Sequence, residues 1–135
     1  MTNKSVLISI RPKWCEMIAN GEKILEVRKT RPKLKPPFKV YIYCCKPVGR
    51  VIGEFICDTF VTDKTFGHDP LFNGAACMDE VECATYSCCT PLYGWHISNL
   101  IIYDTPKALS EFALKRPPQS WCYVEELDGD DHAQK

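Results

Sequence analysis

The chain opens with an apolar run that predicts a strand followed closely by a helix. The run VLISI covers residues 6–10 and is rich in β-branched side chains, which favour a strand. Pro12 follows at once and suits the first turn of a helix, which we expect over residues 12–20. Gly21 is placed to cap that helix at its C-terminus. This spacing predicts a β–α start to the domain.

Residues 23–29 (KILEVRK) alternate between apolar and charged positions, which is typical of a strand with two different faces. In such a strand Glu26 and Arg28 share one face, and Lys23 lies on the other. The loop that follows carries several more basic residues and prolines up to residue 37. The sequence therefore places a charged pair on a strand beside a basic loop.

The rest of the chain predicts a mixed fold dominated by short strands. Residues 62–74 read as irregular, residues 75–88 as a short helix, and residues 105–114 as a turn and a helix start. Further strands are expected at residues 38–45, 51–61 and 95–103, and residues 120–126 are expected to end the ordered part. Several short strands with two or three short helices predict an α+β fold built as a small mixed β-barrel, in which closure hides the strand edges.

Length and composition fit one domain. The chain has 135 residues, of which 45% are apolar and 25% charged, as in ordinary globular proteins. We expect residues 1–126 to form the domain and residues 127–135 to be a disordered acidic tail. No apolar run approaches the roughly 18–20 residues that span a bilayer, and the start does not resemble a signal peptide. A cytoplasmic location without membrane contact is the expectation.

Charge is distributed unevenly along a formally neutral chain. Residues 1–50 hold 12 Lys and Arg against 3 Asp and Glu, a net charge of +9, and residues 51–135 hold 5 against 14, a net charge of −9. This asymmetry favours a basic surface for an anionic partner. The alternative is that folding interleaves the two halves and gives a mixed, solvated surface.

Nine cysteines are present, and their spacing fits neither a disulfide framework nor a standard zinc spacing. A zinc site built from Cys77, Cys83, Cys88 and Cys89 is the alternative, although structural sites favour tighter ligand pairs. The count is odd and no CxxC pair occurs, although two cysteine pairs are adjacent. Cys44 and Cys57 lie in strand-like apolar runs, where cysteine acts as a small hydrophobe. We therefore expect packing cysteines and no metal or other cofactor.

The segment SIRPKWCEMIANGEKILEVRK, with YGWHI and PQSW downstream, resembles the ASCH domain, a relative of the PUA fold. The G-x-K-x-x-E-x-R strand of that family is matched by Gly21, Lys23, Glu26 and Arg28, and the later strands look like those of phage and prophage members. The resemblance implies a PUA-like β-barrel with a cleft beside the first helix. It also implies an RNA or nucleotide partner, with a modified base as one option.

The residue types in the motif suit such a partner. Arg28 offers a planar fork for a phosphate or base edge, and Glu26 can hold that fork or accept from an exocyclic amine. Basic residues nearby are expected to contact phosphates, and Trp95 and Trp121 are expected to stack on bases. Trp14 is interpreted as a core residue. The full set of predicted nucleic-acid or nucleotide contacts is Arg11, Lys13, Lys23, Glu26, Arg28, Lys29, Lys33, Lys35, Trp95, Ser120 and Trp121, with Lys39 as a further phosphate contact.

One ASCH branch hydrolyses N4-acetylcytidine with a lysine, a threonine three residues later and a more distant glutamate. Here Lys23 matches the lysine, but Glu26 occupies the threonine position and cannot supply a hydroxyl nucleophile. A non-catalytic RNA- or nucleotide-binding module is therefore the first interpretation. The alternatives are a hydrolase of a modified nucleoside or a ribonuclease, with Lys23 and Glu26 as the catalytic pair, and a protein-interaction module.

Overall fold

The structure, a computed structural model, describes residues 4–127. Within that range the chain forms six strands, three short α-helices and one 3₁₀ helix. In chain order the elements are β1 (Lys4–Ile10), α1 (Pro12–Ala19), β2 (Leu25–Arg28), β3 (Phe38–Cys44), β4 (Arg50–Asp63), α2 (Pro70–Ala76), α3 (Glu80–Ser87), β5 (Leu92–Lys107), the 3₁₀ helix (Leu109–Phe112) and β6 (Trp121–Glu125).

All six strands belong to one sheet in the order β2–β5–β4–β3–β1–β6. The β1–β3 pair is parallel, with Val6 opposite Val40, and the other pairs are antiparallel. β2 and β6 are the two edges and are not joined to each other in this backbone ladder. The predicted α+β fold is therefore confirmed, with a barrel that is only partly closed.

Side chains bridge the open seam of the barrel. The guanidinium of Arg28 on β2 donates to the carbonyl of Ser9 on β1 at 2.7 Å and to the hydroxyl of Ser120, just before β6, at 3.0 Å. The indole of Trp121 donates to the Thr30 hydroxyl at 3.0 Å. These bonds replace a missing backbone ladder, because an unpaired strand edge must be covered or bonded in some other way.

The central strands are buried on both faces and separate two apolar clusters. Val6 and Ile8 on β1 point into the cluster that α1 covers, whereas Leu7 between them points into the opposite cluster. There Tyr41 on β3 packs edge-on against Phe112 of the 3₁₀ helix, with ring centroids 4.7 Å apart. A strand alternates its side chains between faces, so near-continuous apolar runs indicate burial on both.

The predicted elements agree with the observed ones except between β4 and β5 and at the end of β5. The turn expected from residue 105 is wrong for residues 105–107, because β5 continues to Lys107. Residues 62–74 were expected to be irregular, which is wrong for the part that forms α2. Its signals are present, since Asp69 caps the helix by accepting from the backbone N–H of Leu71 and Pro70 opens the first turn. A glycine inside a seven-residue helix weakens the pattern. Tertiary contacts then decide whether the helix forms.

The described chain ends one residue into the predicted acidic tail. The backbone N–H of Leu127 donates to the hydroxyl of Tyr41 at 3.0 Å, so Leu127 is attached to the sheet. Residues 128–135 lie outside the described residues, and a disordered tail there stays a prediction. No helix within residues 4–127 is both long enough and apolar enough to cross a membrane.

Several cysteines pack in the interior. Cys15, Cys44, Cys57 and Cys83 are buried. Burial raises the pKa of Cys57 to about 12 and that of Cys83 to about 11, and it raises the pKa of Cys15 as well. Thiols with such pKa values stay protonated near neutral pH and are poor nucleophiles and metal ligands. This supports the packing interpretation for Cys15, Cys57 and Cys83, and Cys44 belongs to the same buried core as Cys15 and Cys57.

Candidate functional site

A cavity of about 410 Å³ opens between α1, β2, α3 and the segment before β6, and we call it the Lys23 cavity. Its volume falls at the lower end of the range of about 300–1,000 Å³ for small-molecule sites. Charged, polar and apolar side chains all contribute to its surface. The lining residues are Ser9, Arg11, Trp14, Lys23, Glu26, Val27, Arg28, Cys45, Met78, Tyr86, Gln119 and Ser120.

Lys23 is a buried cation at this cavity, with 2% of its surface exposed. The sequence placed Lys23 on the strand face opposite Glu26, which is wrong. Lys23 precedes β2, so strand alternation does not determine where its side chain points, and the side chain lies beside Glu26. Its backbone N–H bonds to Met17 of α1. Its ammonium donates to the carbonyl of Ala76 at 2.5 Å and lies 4.6 Å from the centre of the Trp14 ring. Ala76 ends α2, where unpaired carbonyls and the helix dipole both favour a cation.

The pKa of Lys23 is lowered from its ordinary value. Burial is the main cause, because the charged ammonium loses hydration, and the positive charge of Arg28 acts in the same direction. The carboxylate of Glu26 opposes this shift and raises the pKa, but it does not cancel the effect of burial. A larger fraction of Lys23 is therefore neutral near physiological pH than for a lysine in water.

Glu26 uses its two carboxylate oxygens differently. Oε2 accepts from both Nε and Nη2 of Arg28, at 3.0 and 2.7 Å. Oε1 lies 3.9 Å from Nζ of Lys23, which is an ion-pair distance and too long for a hydrogen bond. Among residues 4–127 no donor within hydrogen-bond distance serves Oε1. The cavity thus contains a buried carboxylate oxygen that can accept from a ligand.

Arg28 is a structural residue as well as a cavity residue. Its guanidinium makes five hydrogen bonds, two to Glu26, two to the hydroxyl and carbonyl of Ser120, and one to the carbonyl of Ser9. The sequence assigned this planar fork to a phosphate or base edge. In the fold the protein itself occupies the donors, so Arg28 holds Glu26 in place and joins β2 to the other side of the seam.

The two tryptophans predicted to stack on bases do not line the cavity. Trp95 is fully buried and packs edge-on against Phe60 and Trp121, with ring centroids 5.8 and 5.9 Å away, so its faces are closed to a ligand. Trp121 is half-buried and uses its indole N–H to bond Thr30 across the seam. The prediction for Trp95 is therefore wrong, because the alternation of β5 turns it into the core.

Aromatic rings at the cavity come instead from Trp14 and Tyr86. Trp14 was expected to be a core residue; it packs against the core and also lines the cavity. Tyr86 lies in the last turn of α3 and is 36% exposed. Burial raises the pKa of its phenol. No sequence signal marked Tyr86, since it reaches the cavity only because α3 folds back toward β2.

The loop that carries Gly67 positions α3. Asp63 is buried at the end of β4 and accepts from the backbone N–H groups of Thr65 and Gly67, at 2.8 and 3.1 Å. Asn73 of α2 donates to the Gly67 carbonyl at 2.8 Å. A Cβ at Gly67 would collide with the backbone of Ala84 on α3, and the φ angle there is +99°. This close approach requires glycine.

The predicted basic contacts divide into two groups in space. Arg11 lines the cavity and is exposed, and Lys13 lies beside it, 4.5 Å from the Trp14 ring centre and 3.6 Å from the Glu82 carboxylate. Lys29 lies near Tyr86, on the cavity side. The remaining predicted contacts, Lys33, Lys35 and Lys39, lie toward β6 and β3.

No group of three or more His, Cys, Asp and Glu side chains suited to a metal ion occurs within residues 4–127. Two exposed acid–histidine pairs occur outside the cavity: His96 Nδ1 lies 2.7 Å from Asp58 Oδ1, and His68 Nδ1 lies 2.8 Å from Glu80 Oε2. His96 does not line the Lys23 cavity. Lys23 and Glu26 are the buried charged pair among the residues that line the cavity.

Comparison with solved structures identifies the fold. The chain is similar to an ASCH protein from Zymomonas mobilis, with a TM-score of 0.78 and 21% identity over 96% of this chain and 91% of that chain. It is also similar to a tyrosine-to-phenylalanine variant of that protein, with a TM-score of 0.81 and 20% identity over 98% of both chains. No family model and no curated protein matches the sequence. These likenesses confirm the ASCH-like fold that the motif indicated.

Proposed function

We propose that this protein binds RNA and holds one base in the Lys23 cavity. The fold supports the proposal because it is shared with ASCH proteins, which the sequence motif also resembles. Fold alone does not define a ligand, so the argument depends on the chemistry of the cavity. That chemistry combines a hydrogen-bond donor, an acceptor and aromatic rings in a space of about 410 Å³.

The observation that carries the proposal is the geometry at Lys23 and Glu26, where Nζ bonds the Ala76 carbonyl and keeps further donor capacity, and Oε1 accepts from no donor among residues 4–127. Both side chains are buried, yet Nζ and Oε1 are 3.9 Å apart and do not bond each other. Buried charged groups are costly when their hydrogen-bonding capacity is unused. A base edge carries adjacent donors and acceptors, so it can accept from Lys23 and donate to Glu26 at the same time.

The rim of the cavity supports a phosphate-bearing ligand. Arg11 is exposed at the rim and has no carboxylate partner among residues 4–127. Lys13 is paired with Glu82 only at 3.6 Å and with both side chains well exposed, and such pairs are worth about 0–1 kcal/mol. Both cations can therefore contact a phosphate of the bound nucleotide at little cost.

The test is binding of the four ribonucleosides and a single-stranded RNA heptamer of mixed sequence. We expect Glu26→Gln to change the order of preference among the nucleosides, because one acceptor loses its charge with little change of shape. Glu22→Gln is the matched control, since Glu22 is exposed and bonds only to Asn20 nearby. Equal preference profiles for wild type, Glu26→Gln and Glu22→Gln would show that the cavity does not read the base.

The lowered pKa of Lys23 favours a second candidate function, hydrolysis of a modified nucleoside such as N4-acetylcytidine. A neutral Lys23 can take a proton from water as the water attacks the acetyl carbonyl, and can return it to the departing amine, giving acetate and cytidine. Glu26 is bound by Arg28 and supplies charge rather than a nucleophile. In a ribonuclease the same lysine would take the proton of a ribose hydroxyl.

An assay for product formation distinguishes the RNA-binding function from the hydrolase and ribonuclease functions. Chromatography of N4-acetylcytidine and of the RNA heptamer after incubation with the protein detects cytidine or shorter fragments. If the protein is an enzyme, the wild type forms product and the Lys23→Met variant forms none, because methionine cannot accept a proton. Absence of product with the wild-type protein, together with measurable binding, leaves the binding function in place and removes the catalytic candidate.

A further inference from the structure

The basic loop after β2 sends its cations to two sides of the seam. Lys29 and Arg31 lie against rings from α3, β4 and β5, whereas Lys33 bonds through its backbone N–H to the hydroxyl of Tyr123 on β6, at 2.9 Å. Lys35 lines a second cavity of about 560 Å³ on that same side. The two cavities share no lining residue. Of the loop cations, Lys29 lies next to the Lys23 cavity through its contact with Tyr86, and Lys33 and Lys35 lie on the other side of the seam.

Arg31 is held between two aromatic rings. Its guanidinium carbon lies 5.4 Å from the ring centre of Phe60 and 5.3 Å from that of Tyr93. The residue is exposed, and no carboxylate or carbonyl within residues 4–127 accepts from its guanidinium. Rings of this kind stabilise a cation at their faces and restrict its motion. Arg31 therefore offers an oriented set of donors of the geometry that suits phosphate.

Lys29 lies next to the Lys23 cavity and two residues before Arg31 in the chain. Its ammonium lies 5.1 Å from the ring centre of Tyr86, which lines the cavity. Tyr93 on β5 lies opposite Arg28 on β2, and Arg28 directly precedes Lys29 in the chain. Lys29 with Tyr86, and Arg31 with Tyr93 and Phe60, therefore form two successive groups of cation and ring along the loop that leaves β2. We call the series formed by Tyr86, Lys29, Tyr93, Arg31 and Phe60 the aromatic–basic strip.

We propose that a single-stranded RNA leaves the Lys23 cavity along the aromatic–basic strip. This inference rests on the proposed function and adds the direction of the strand. Phosphates flanking the bound base contact Lys29 and Arg31, and the neighbouring base contacts the exposed part of the Tyr86 ring. Rings beside cations are the pattern by which proteins bind unpaired strands, and a duplex could not present its base faces to Tyr86.

The opposite side of the seam is a poorer path for a phosphate chain. Lys39 in the second cavity is paired with Glu54 at 3.2 Å and with Glu126 at 3.1 Å. Glu126 itself lines that cavity and brings negative charge next to Lys35. Phosphates there would displace existing ion pairs and meet a carboxylate. On the aromatic–basic strip no such competition exists among the described residues.

Two double variants with the same charge change test the path. One is Lys29→Gln with Arg31→Gln, and the other is Lys33→Gln with Lys35→Gln. The ligands are the single-stranded RNA heptamer and the four ribonucleosides, which carry no phosphate. Affinities are measured by fluorescence anisotropy and calorimetry over a range of salt concentrations, after thermal melting has shown that each variant is folded.

We expect the first double variant to lose about tenfold or more in RNA affinity. Its salt slope decreases by about 1.4, because each lost phosphate contact removes about 0.7 for a single strand. The second double variant stays within about twofold of the wild type, and both bind nucleosides as the wild type does. A general effect of lost positive charge would lower the RNA affinity of both double variants equally. A larger loss in the first double variant is therefore specific to the aromatic–basic strip.

The outcomes are distinguishable. Equal losses in the two double variants, or a loss only in the second, overturn the path while the RNA-binding function stands. Unchanged RNA affinity in the first double variant overturns the path in the same way. Wild-type protein that binds neither nucleosides nor RNA at low salt overturns the proposed function, and the path with it.

Discussion

Arg28 donates two hydrogen bonds to one oxygen of Glu26, from Nε at 3.0 Å and Nη2 at 2.7 Å, and the other oxygen stays 3.9 Å from Nζ of Lys23. The pair is buried, since 12% of the Arg28 side chain and 6% of the Glu26 side chain are exposed. Arg28 thereby gives the cavity one oriented acceptor, and its remaining donors close the barrel seam.

This arrangement predicts that Arg28→Lys destabilises the fold. Lysine keeps the charge but cannot reach Glu26, Ser9 and Ser120 at once, and hydrogen bonds to charged groups contribute about 1.5–3 kcal/mol. We expect the free energy of unfolding in urea to fall by about that amount. Arg116→Lys is the control, because Arg116 is exposed, and its change is expected within about 0.5 kcal/mol. Equal stability of the two variants would show that Arg28 does not hold the seam.

The lowered pKa of Lys23 predicts a pH dependence of stability. Between the folded-state pKa and the ordinary value of 10.5 the unfolded chain binds more protons than the native protein, so the free energy of unfolding rises with pH across this window. Below the window the cost of burying the charged ammonium is fully present. Lys23→Met removes the titrating group.

We therefore expect the stability of the wild type relative to Lys23→Met to increase as the pH rises toward 10.5, as measured by urea unfolding at a series of pH values. In the Glu26→Gln background the rise should begin at a lower pH, because the carboxylate of Glu26 raises the pKa of Lys23. A stability difference that stays constant over the whole alkaline range would contradict the shift.

Trp95 and Trp14 are expected to affect different properties. Trp95→Phe is predicted to lower the free energy of unfolding by about 1–3 kcal/mol through loss of core packing and to leave nucleoside binding unchanged. Trp14→Leu removes a ring that lies 4.6 Å from the Lys23 ammonium and lines the cavity, so nucleoside binding is predicted to weaken. Calorimetry with the four ribonucleosides, combined with urea unfolding, measures both. The reverse pattern would place the ligand elsewhere.

Gly67 and Gly74 form a matched pair for the position of α3. Gly67→Ala forces a Cβ into the backbone of Ala84 at a positive φ, and we expect a loss of at least about 1–3 kcal/mol in the free energy of unfolding. Gly74→Ala meets no atom within 4 Å inside α2 and is expected to stabilise by about 0.4–1 kcal/mol. Chemical denaturation measures both. If Gly67→Ala were neutral, the close approach between the loop and α3 would not exist.

Local sequence pattern was enough to predict most of the secondary structure and the ASCH-like motif. The proline after β1, the glycine after α1 and the alternation within the strands were enough to predict α1 and the main strands, because capping and side-chain periodicity depend on neighbours in the chain. The ASCH-like motif was also readable, since its residues lie within one continuous segment. Strand alternation paired Glu26 with Arg28 but placed Lys23 on the opposite face, and only the resemblance to the motif grouped the three residues.

Tertiary structure decided what those residues do. Arg28 finds acceptors at Ser9 and Ser120, which are 19 and 92 residues away, and these bonds make it a structural clamp in the wall of the cavity. Lys23 becomes a perturbed cation only because the end of α2 covers it, 53 residues along the chain. Tyr86 reaches the cavity through the packing of α3. Spacing along the sequence reports only local geometry, whereas burial, pKa and the occupancy of donors depend on contacts that the fold creates.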